Sequence, residues 1–470
     1  MAGDSKLIIK NGVLFSIAPY LPQALNIFLL PIMTKYLTSV DFGISGTISA
    51  YTAATSAFLL LGLNVVITNA FFQYPTRYKW IWRQLYGFLK LWMIVYAIIQ
   101  ATILFFFIPS EAQENKWLII ILANFSTVLF GPTGNFGHSY YAFNKQSIPI
   151  VWRSVAASTI TVLVDFVLIV YFKLGYLGWY VGTFAGQFFT NASYWYLVNV
   201  KLGIKPIYNF KWRTIKHALH VGMPTIPHYY SSFLLESAGR IVMDRNGIAQ
   251  GEIGKITISQ TLGSVLNNGM VGLNQALSPF IMESIKNKNE IKFQRLSYGF
   301  ITVVFSVAFL LAIWSKELFN LLLSNDSLKT AYPFFILYVM ALCYRPLYMI
   351  SSYYYFYYEK TKQLLLITFV SGCIAFVLYL ILTPFLGIWG FSIGYYIACL
   401  YFGYSGFLYS TYRKYSQIKI PYIWLFIIQL TLTGVAFFIV ESILLKVLVS
   451  VVLLSTIAVI VYKYKDILKK

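Results

Sequence analysis

The sequence predicts an all-α polytopic membrane protein of about 14 transmembrane helices, arranged as two parallel six-helix lobes plus two C-terminal helices. Three observations predict it. The 470 residues are 59% hydrophobic and only 11% charged, too little charge to keep a soluble chain of this length dissolved. Aromatic residues reach 19%, with 38 Tyr and 11 Trp, the residues that favour membrane interfaces. The chain is also self-similar at a period of about 210 residues.

A span needs about 20 apolar residues. That rule places helices near 12–35, 43–70, 85–108, 117–141, 150–172 and 176–198. A second set follows near 220–240, 254–282, 297–315, 331–356, 363–383 and 387–411, with two more near 421–440 and 445–462. With the N-terminus inside, the cytoplasmic segments hold 25 Lys and Arg and the outer segments 9, so the positive-inside rule sets both termini in the cytoplasm. Lys90 and Arg345 fall within spans. The net charge of +21 is read as this bias, because no solvated basic domain exists to hold nucleic acid. The segment 199–220 is basic, with Trp and Ile, and suits a helix lying on anionic headgroups. The N-terminus is read as an uncleaved first helix.

The repeat is read from ordered matches. TIS at 47–49 recurs at 257–259, GLN at 62–64 recurs at 272–274, and DFG at 41–43 resembles EIG at 252–254. KLGYLGWYVG at 173–182 matches FLGIWGFSIG at 385–394. An even number of helices per repeat makes the lobes parallel, with a pseudo-twofold axis along the membrane normal and a substrate site between them. The expected divisions are 1–200 and 222–412 for the lobes, 201–221 for a basic linker and 413–470 for the last helices. Cys343, Cys373 and Cys399 lie in apolar runs without metal or redox spacing, so no metal site is expected. DFG occurs without any other kinase feature, and the two Asn-x-Ser triplets lie in spans; neither carries function.

LLPIMTKYLTSVDFG, with Pro31, Thr34, Leu37, Asp41 and Gly43, resembles the opening signature of the Wzx-type polysaccharide flippases of the MOP superfamily. EKTKQLLLITFVSGCIAFVLYLILTPFLGIWGFSIG at 359–394 resembles their eleventh and twelfth helices, and SAGRIVMDRNGIAQGEIG at 237–254 the end of their seventh. There Arg240 matches an Asp-Arg pair common in the family, but Gly239 stands where the acid would be. The resemblance spans residues 5 to about 411. It implies a non-enzymatic transporter in the bacterial inner membrane. The cargo would be an undecaprenyl-pyrophosphate-linked oligosaccharide, moved to the outer leaflet. The O-antigen or capsule branch is favoured, because lipid II flippases carry arginines in their first two helices and only Lys35 stands at the end of the first here. Expected partners are the lipid-linked glycan, anionic lipids, and polymerase and chain-length proteins of the same pathway. No cofactor is expected beyond a coupling proton or sodium ion.

The candidate substrate contacts are Arg345, Arg240, Arg153, Asn267 and Gln275; no catalytic residue is expected. A charge near the middle of a span costs roughly 2.5–3.5 kcal/mol, so Arg345 calls for a reason. An arginine fork binds phosphate oxygens bidentately and stays charged; the structural alternative pairs it with Glu236 or Asp165. His228, Ser232, Glu236, Arg240 and Asp244 recur every four residues, as a polar wall or as a stripe holding a Glu236–Arg240 pair. Asp165 is read as a cation-coupling site or as partner to a basic residue, and Glu236 is the second coupling candidate. Ser264, Asn267, Asn268, Asn274, Gln275 and Ser278 would bond sugar hydroxyls or neighbouring helices. Gly178, Gly182 and Gly186 suit close helix packing. The competing functions are a MATE-like exporter of small cations, and a membrane polymerase or glycosyltransferase of the same glycan pathway. The exporter would want more acids in the membrane; the enzyme would want a large loop or carboxylate–metal motif.

Overall fold

The computed structural model describes residue 27, residues 29–415 and residues 421–468. It is all-helical, with no strand among the described residues. The expected first span near 12–35 lies mostly outside them; its described end stops in a turn at 34–36. Among the described residues six helices are long and apolar enough to cross a membrane: Tyr78–Phe107, Ile148–Tyr171, Glu290–Ile313, Tyr332–Tyr357, Thr361–Leu386 and Tyr422–Ile439. A seventh crossing forms if Ser110–Phe130 and Thr133–Phe143, bent by 56° at their junction, are one span.

Several of the other expected spans are broken, and one is extended. The run 43–70 is Ser39–Ser56 and Asn64–Gln73, with Leu61 and Gly62 at positive φ in the turn between them. The run 220–240 divides into Trp212–Gly222, Ile226–Glu236 and Ala238–Arg245. Gln250–Lys286 is one 37-residue helix with Pro279 inside it. Apolarity windows see the membrane but not the breaks, because Pro and Gly are tolerated there when freed backbone groups find partners.

The bend after Phe130 shows such a partner. Lys90, midway along Tyr78–Phe107, donates from Nζ to the carbonyls of Val128 (2.7 Å) and Leu129. A helix leaves its last carbonyls unpaired, and a cation at that end also complements the helix dipole. The charge of Lys90 is thus absorbed by the broken helix.

The described residues group into two compact units. One runs to Gly254 and includes Thr368–Ile388; the other is Lys255–Ile367 with Trp389 onward. In the first unit, Trp82, Leu85, Leu89, Phe136 and Ile215 form an apolar core. The helix pair Ile148–Phe166 and Tyr176–Tyr196 packs tightly through Gly178, Gly182 and Gly186.

In the second unit the C-terminal helix Ile443–Leu468 is anchored by charge. Lys446 is fully buried and donates to both carboxylate oxygens of Glu317, at 2.6 and 2.7 Å. Trp314 Nε1 donates to Ser450 at 3.0 Å, and Lys316 pairs with Glu441. Hydrogen bonds from Lys316 and then Tyr332 hold the Glu441 carboxyl below its usual range. Glu317→Gln leaves a buried ammonium facing a neutral amide. We expect it to cost about 3 kcal/mol, and Glu317→Leu with Lys446→Met to recover most of that. Thermal unfolding of the three proteins in one detergent measures it; equal midpoints would remove the pair from the account of stability.

Candidate functional site

Two candidates of the second unit, Arg345 and Asn267, meet where the Tyr332–Tyr357 span breaks. The segment Tyr332–Leu342 ends, Cys343 and Tyr344 turn, and Arg345 starts the segment Arg345–Tyr357. Pro346 sits in that first turn, where its missing N–H would have no intrahelical partner anyway. Buried neighbours bridge the break. Gln429 Nε2 donates to the Cys343 carbonyl at 3.1 Å, and Tyr404 OH donates to Gln429 Oε1 at 2.6 Å. Tyr344 OH donates to Tyr396 OH at 2.7 Å, and Tyr396 shares a hydrogen with Thr433 at 2.9 Å.

Arg345 emerges half-buried from this frame. Its Nη1 donates to Asn267 Oδ1 at 2.9 Å, and Nη2 reaches Tyr395 OH at 3.5 Å. Farther along Gln250–Lys286, Asn274 Oδ1 accepts from Tyr353 OH at 2.9 Å. Tyr395 stacks on Tyr338 with ring centroids 5.1 Å apart. The structure therefore brings Arg345 and Asn267 together. Gln275 lies exposed; eight residues turn a helix by about 80° beyond two full turns, away from the Asn267 direction. Tyr395, Gln429 and Tyr396 went unnoticed in the sequence, since no spacing distinguishes them from the other aromatics and amides.

In the first unit each candidate has its own surroundings. Arg153 is buried, with Nε donating to Ser193 Oγ at 3.0 Å and Nη1 to the Pro149 carbonyl at 2.7 Å. Tyr141, Trp152 and Tyr194 surround its guanidinium at 5.0–5.2 Å. Protein groups thus occupy much of its donor and cation–π capacity. Arg240 is half-buried and donates to Ser237 Oγ at 3.3 Å. The four-residue stripe does not run along one continuous helix, because the chain breaks at Ser237. Glu236 ends one segment, half-buried. His228 is exposed, with Nδ1 3.3 Å from Thr368 Oγ1. Asp165 is 2% exposed, and its Oδ1 has no hydrogen-bond partner. Among the described residues no three His, Cys, Asp or Glu side chains gather in a metal-binding cluster.

Asp244 leaves the stripe for a different cluster. Its Oδ2 accepts from Tyr51 OH at 2.7 Å and its Oδ1 from Gln250 Nε2 at 2.8 Å. Gln250 Oε1 accepts from Thr47 at 2.9 Å, and Arg245 Nε donates to Tyr51 OH at 2.8 Å while its guanidinium covers the Phe107 ring at 4.3 Å. An Asp-Arg pair thus does stand at this helix end, five residues beyond the Gly239–Arg240 position where the sequence resemblance put it.

The DFG signature joins three helices of this unit. Thr38 and Asp41 form a reciprocal capping box at the start of Ser39–Ser56. Asp41 Oδ1 also accepts the Tyr176 N–H at 2.9 Å, and Phe42 meets Trp179 edge-on at 5.0 Å. A Cβ on Gly43 would fall 1.8 Å from the Gln250 carbonyl oxygen, and one on Gly254 would fall 1.8 Å from that of Ser39. The repeat-related glycines thus cross reciprocally, each against the carbonyl four residues before the other.

No family model and no curated protein sequence matches the chain. Solved structures do. A lipid II flippase MurJ in an inward closed conformation aligns with TM-score 0.66 at 17% identity, over 93% of this chain and all of that one. An inward-facing multidrug resistance MATE family transporter of the MOP superfamily aligns with TM-score 0.62 at 15% identity, over 85% and 94%. A MOP superfamily transporter from Pyrococcus furiosus, described as having a binding pocket of reversed polarity, aligns with TM-score 0.56 at 16% identity, over 87% and 95%. At these identities the likeness is one of fold, and the fold of this chain is that of MurJ and the MATE transporters, a multi-pass helical membrane fold.

Proposed function

We propose that the chain is a flippase carrying undecaprenyl-pyrophosphate-linked oligosaccharide repeat units, of the O-antigen or capsule kind, from the cytoplasmic to the outer leaflet. Transport proceeds by alternating access through a cationic central cavity, without enzymatic chemistry, in a bacterial inner membrane with both chain termini cytoplasmic. The observation that carries this reading is Arg345: a guanidinium at a break in a membrane span, held by an amide and set beside a phenol. A pyrophosphate needs its hydration and counter-ions replaced in the membrane, and a preorganised guanidinium does that bidentately. Asn267, Asn274 and Tyr353 add amides and a phenol of the kind that bond sugar hydroxyls. The MurJ structure, whose name records a lipid-linked cargo, supports the class of substrate.

The test is reconstitution. Liposomes holding the protein and a fluorescent polyprenyl-pyrophosphoryl oligosaccharide are exposed to an impermeant quencher. We expect the fraction quenched over time to exceed that of empty liposomes. Baseline quenching, together with extrusion of a small organic cation from loaded vesicles, would replace this reading with that of a MATE-like exporter.

A further inference from the structure

The segment that the sequence presents as a linker is strapped to the helix Tyr78–Phe107. Ile207 N–H donates to the Arg83 carbonyl at 3.0 Å, Arg83 Nε donates to the Lys205 carbonyl at 3.0 Å, and Lys211 N–H donates to Gln84 Oε1 at 2.7 Å. Phe88 meets Phe210 edge-on at 5.8 Å, and the Ile207 backbone lies directly against Gly87. The following helix Trp212–Gly222 buries Ile215, Ala218 and Gly222, with Ile215 and Ala218 in the core around Trp82. Its apolar face is therefore taken up by protein, so the helix does not rest on lipid through that face.

What it turns outward is cationic. Trp212, Arg213, Lys216, His217 and His220 are exposed; at 100° per residue they occupy an arc of about 140° opposite the buried positions. Lys79 and Lys205 are exposed on the strapped neighbours. No acidic residue occurs between Asp41 and Glu111, or between Asp165 and Glu236, so nothing in these segments neutralises the patch. Trp80 and Trp212 are 42% and 59% exposed, and Lys211 Nζ sits 5.7 Å from the Trp80 ring. Exposed tryptophans beside lysines mark headgroup depth in a membrane protein. The comparable basic turn of the second unit differs: Glu283 and Glu290 lie among its lysines, and Lys292 pairs with Glu283 at 2.9 Å.

We infer that this strapped patch is a docking surface for the phosphodiester headgroups of anionic phospholipids in the leaflet at that end of the molecule. The backbone bonds fix the charges before a lipid arrives, so little ordering is left to pay at binding. Each basic residue near an anionic surface contributes about fivefold in affinity, and the contribution falls with salt. The inference stands independently of the cargo.

The experiment uses the full chain in detergent, titrated with dansyl-labelled phosphatidylglycerol or phosphatidylcholine, reading energy transfer from tryptophan. The variant is Lys205→Gln/Arg213→Gln/Lys216→Gln, three exposed side chains outside the hydrogen bonds described. The comparison is Lys286→Gln/Lys288→Gln/Arg295→Gln in the second unit. We expect the wild type to prefer phosphatidylglycerol, the preference to weaken as salt rises, and the apparent Kd for it to increase at least about tenfold in the first variant. The comparison variant should bind as the wild type does. Equal binding of both lipids by the wild type, unchanged binding by the first variant, or equal losses in the two variants would each overturn the inference.

Discussion

Arg345→Ala is expected to abolish surface glycan while the protein stays folded in the membrane, with undecaprenyl-linked repeat units accumulating on the cytoplasmic side. The structure separates the two roles that an intramembrane arginine can have. The break that presents Arg345 is bridged by Gln429 on the Cys343 carbonyl and by Tyr344 on Tyr396, and neither bond involves the guanidinium. Removing Arg345 therefore leaves the frame and strips out the cation. A charge-assisted hydrogen bond is worth about 1.5–3 kcal/mol, so substrate affinity should fall about tenfold to a hundredfold. Arg345→Lys keeps the charge but not the fork, and should restore only part of the transport. If Arg345 served instead to neutralise a buried acid, the alanine variant would be lost from the membrane. It would then return when Glu236→Gln or Asp165→Asn was added, because removing both members of a buried pair relieves the stranded charge. Protein level and surface glycan, scored in the single and double variants, distinguish these results. Normal glycan from a well-expressed Arg345→Ala protein would end the substrate role.

The fold class was legible because composition alone determines it: a chain with this much apolar surface and this little charge has nowhere else to fold. Arg345 was legible for the same reason, as a charge set in an apolar run. Its partner Asn267 could be picked out of the polar row on one helix, but Gln275 in the same row faces elsewhere, and a row by itself does not reveal which turn meets a neighbour. The breaks were not legible, since a membrane helix tolerates Gly and Pro and an apolarity window runs straight across them. That hid the function of Lys90, whose acceptors are carbonyls freed by a bend some 40 residues away in sequence. It also hid the helix break at Ser237, within what looks like one stripe. The partners of Asp244 and Gln250 were not legible, because Tyr51 and Thr47 are about two hundred residues away and only the fold brings them together. The setting of Arg153 was not legible either: three aromatic rings, two of them from outside its own helix, surround its guanidinium.

Asp165→Asn is expected to uncouple transport from the driving ion while leaving the fold intact. The carboxyl is buried in the pair Ile148–Phe166 and Tyr176–Tyr196, and a Cβ on Gly182 would lie 1.8 Å from its Oδ1. Among the described residues no ion pair involves Asp165, and Oδ1 accepts no hydrogen bond. An isolated carboxylate cannot remain charged and unpaired in such a place, because desolvation would cost several kcal/mol. That setting makes Asp165 the candidate for exchanging a proton or a metal cation during the cycle. Asparagine keeps the shape and removes the exchange. In vesicles with an imposed proton or sodium gradient, the Asp165→Asn rate should therefore lose its dependence on that gradient, whereas Glu236→Gln should keep it if Asp165 is the coupling site. The packing supplies an independent check. Gly182→Ala drives a methyl group into the carboxyl and should destabilise the protein by about 1–3 kcal/mol, and Asp165→Ala should relieve that clash in the double variant. A structural role alone predicts the second result without the first. Full gradient-dependent transport by Asp165→Asn, with the Gly182→Ala clash still present, would leave Asp165 as packing and remove it from coupling.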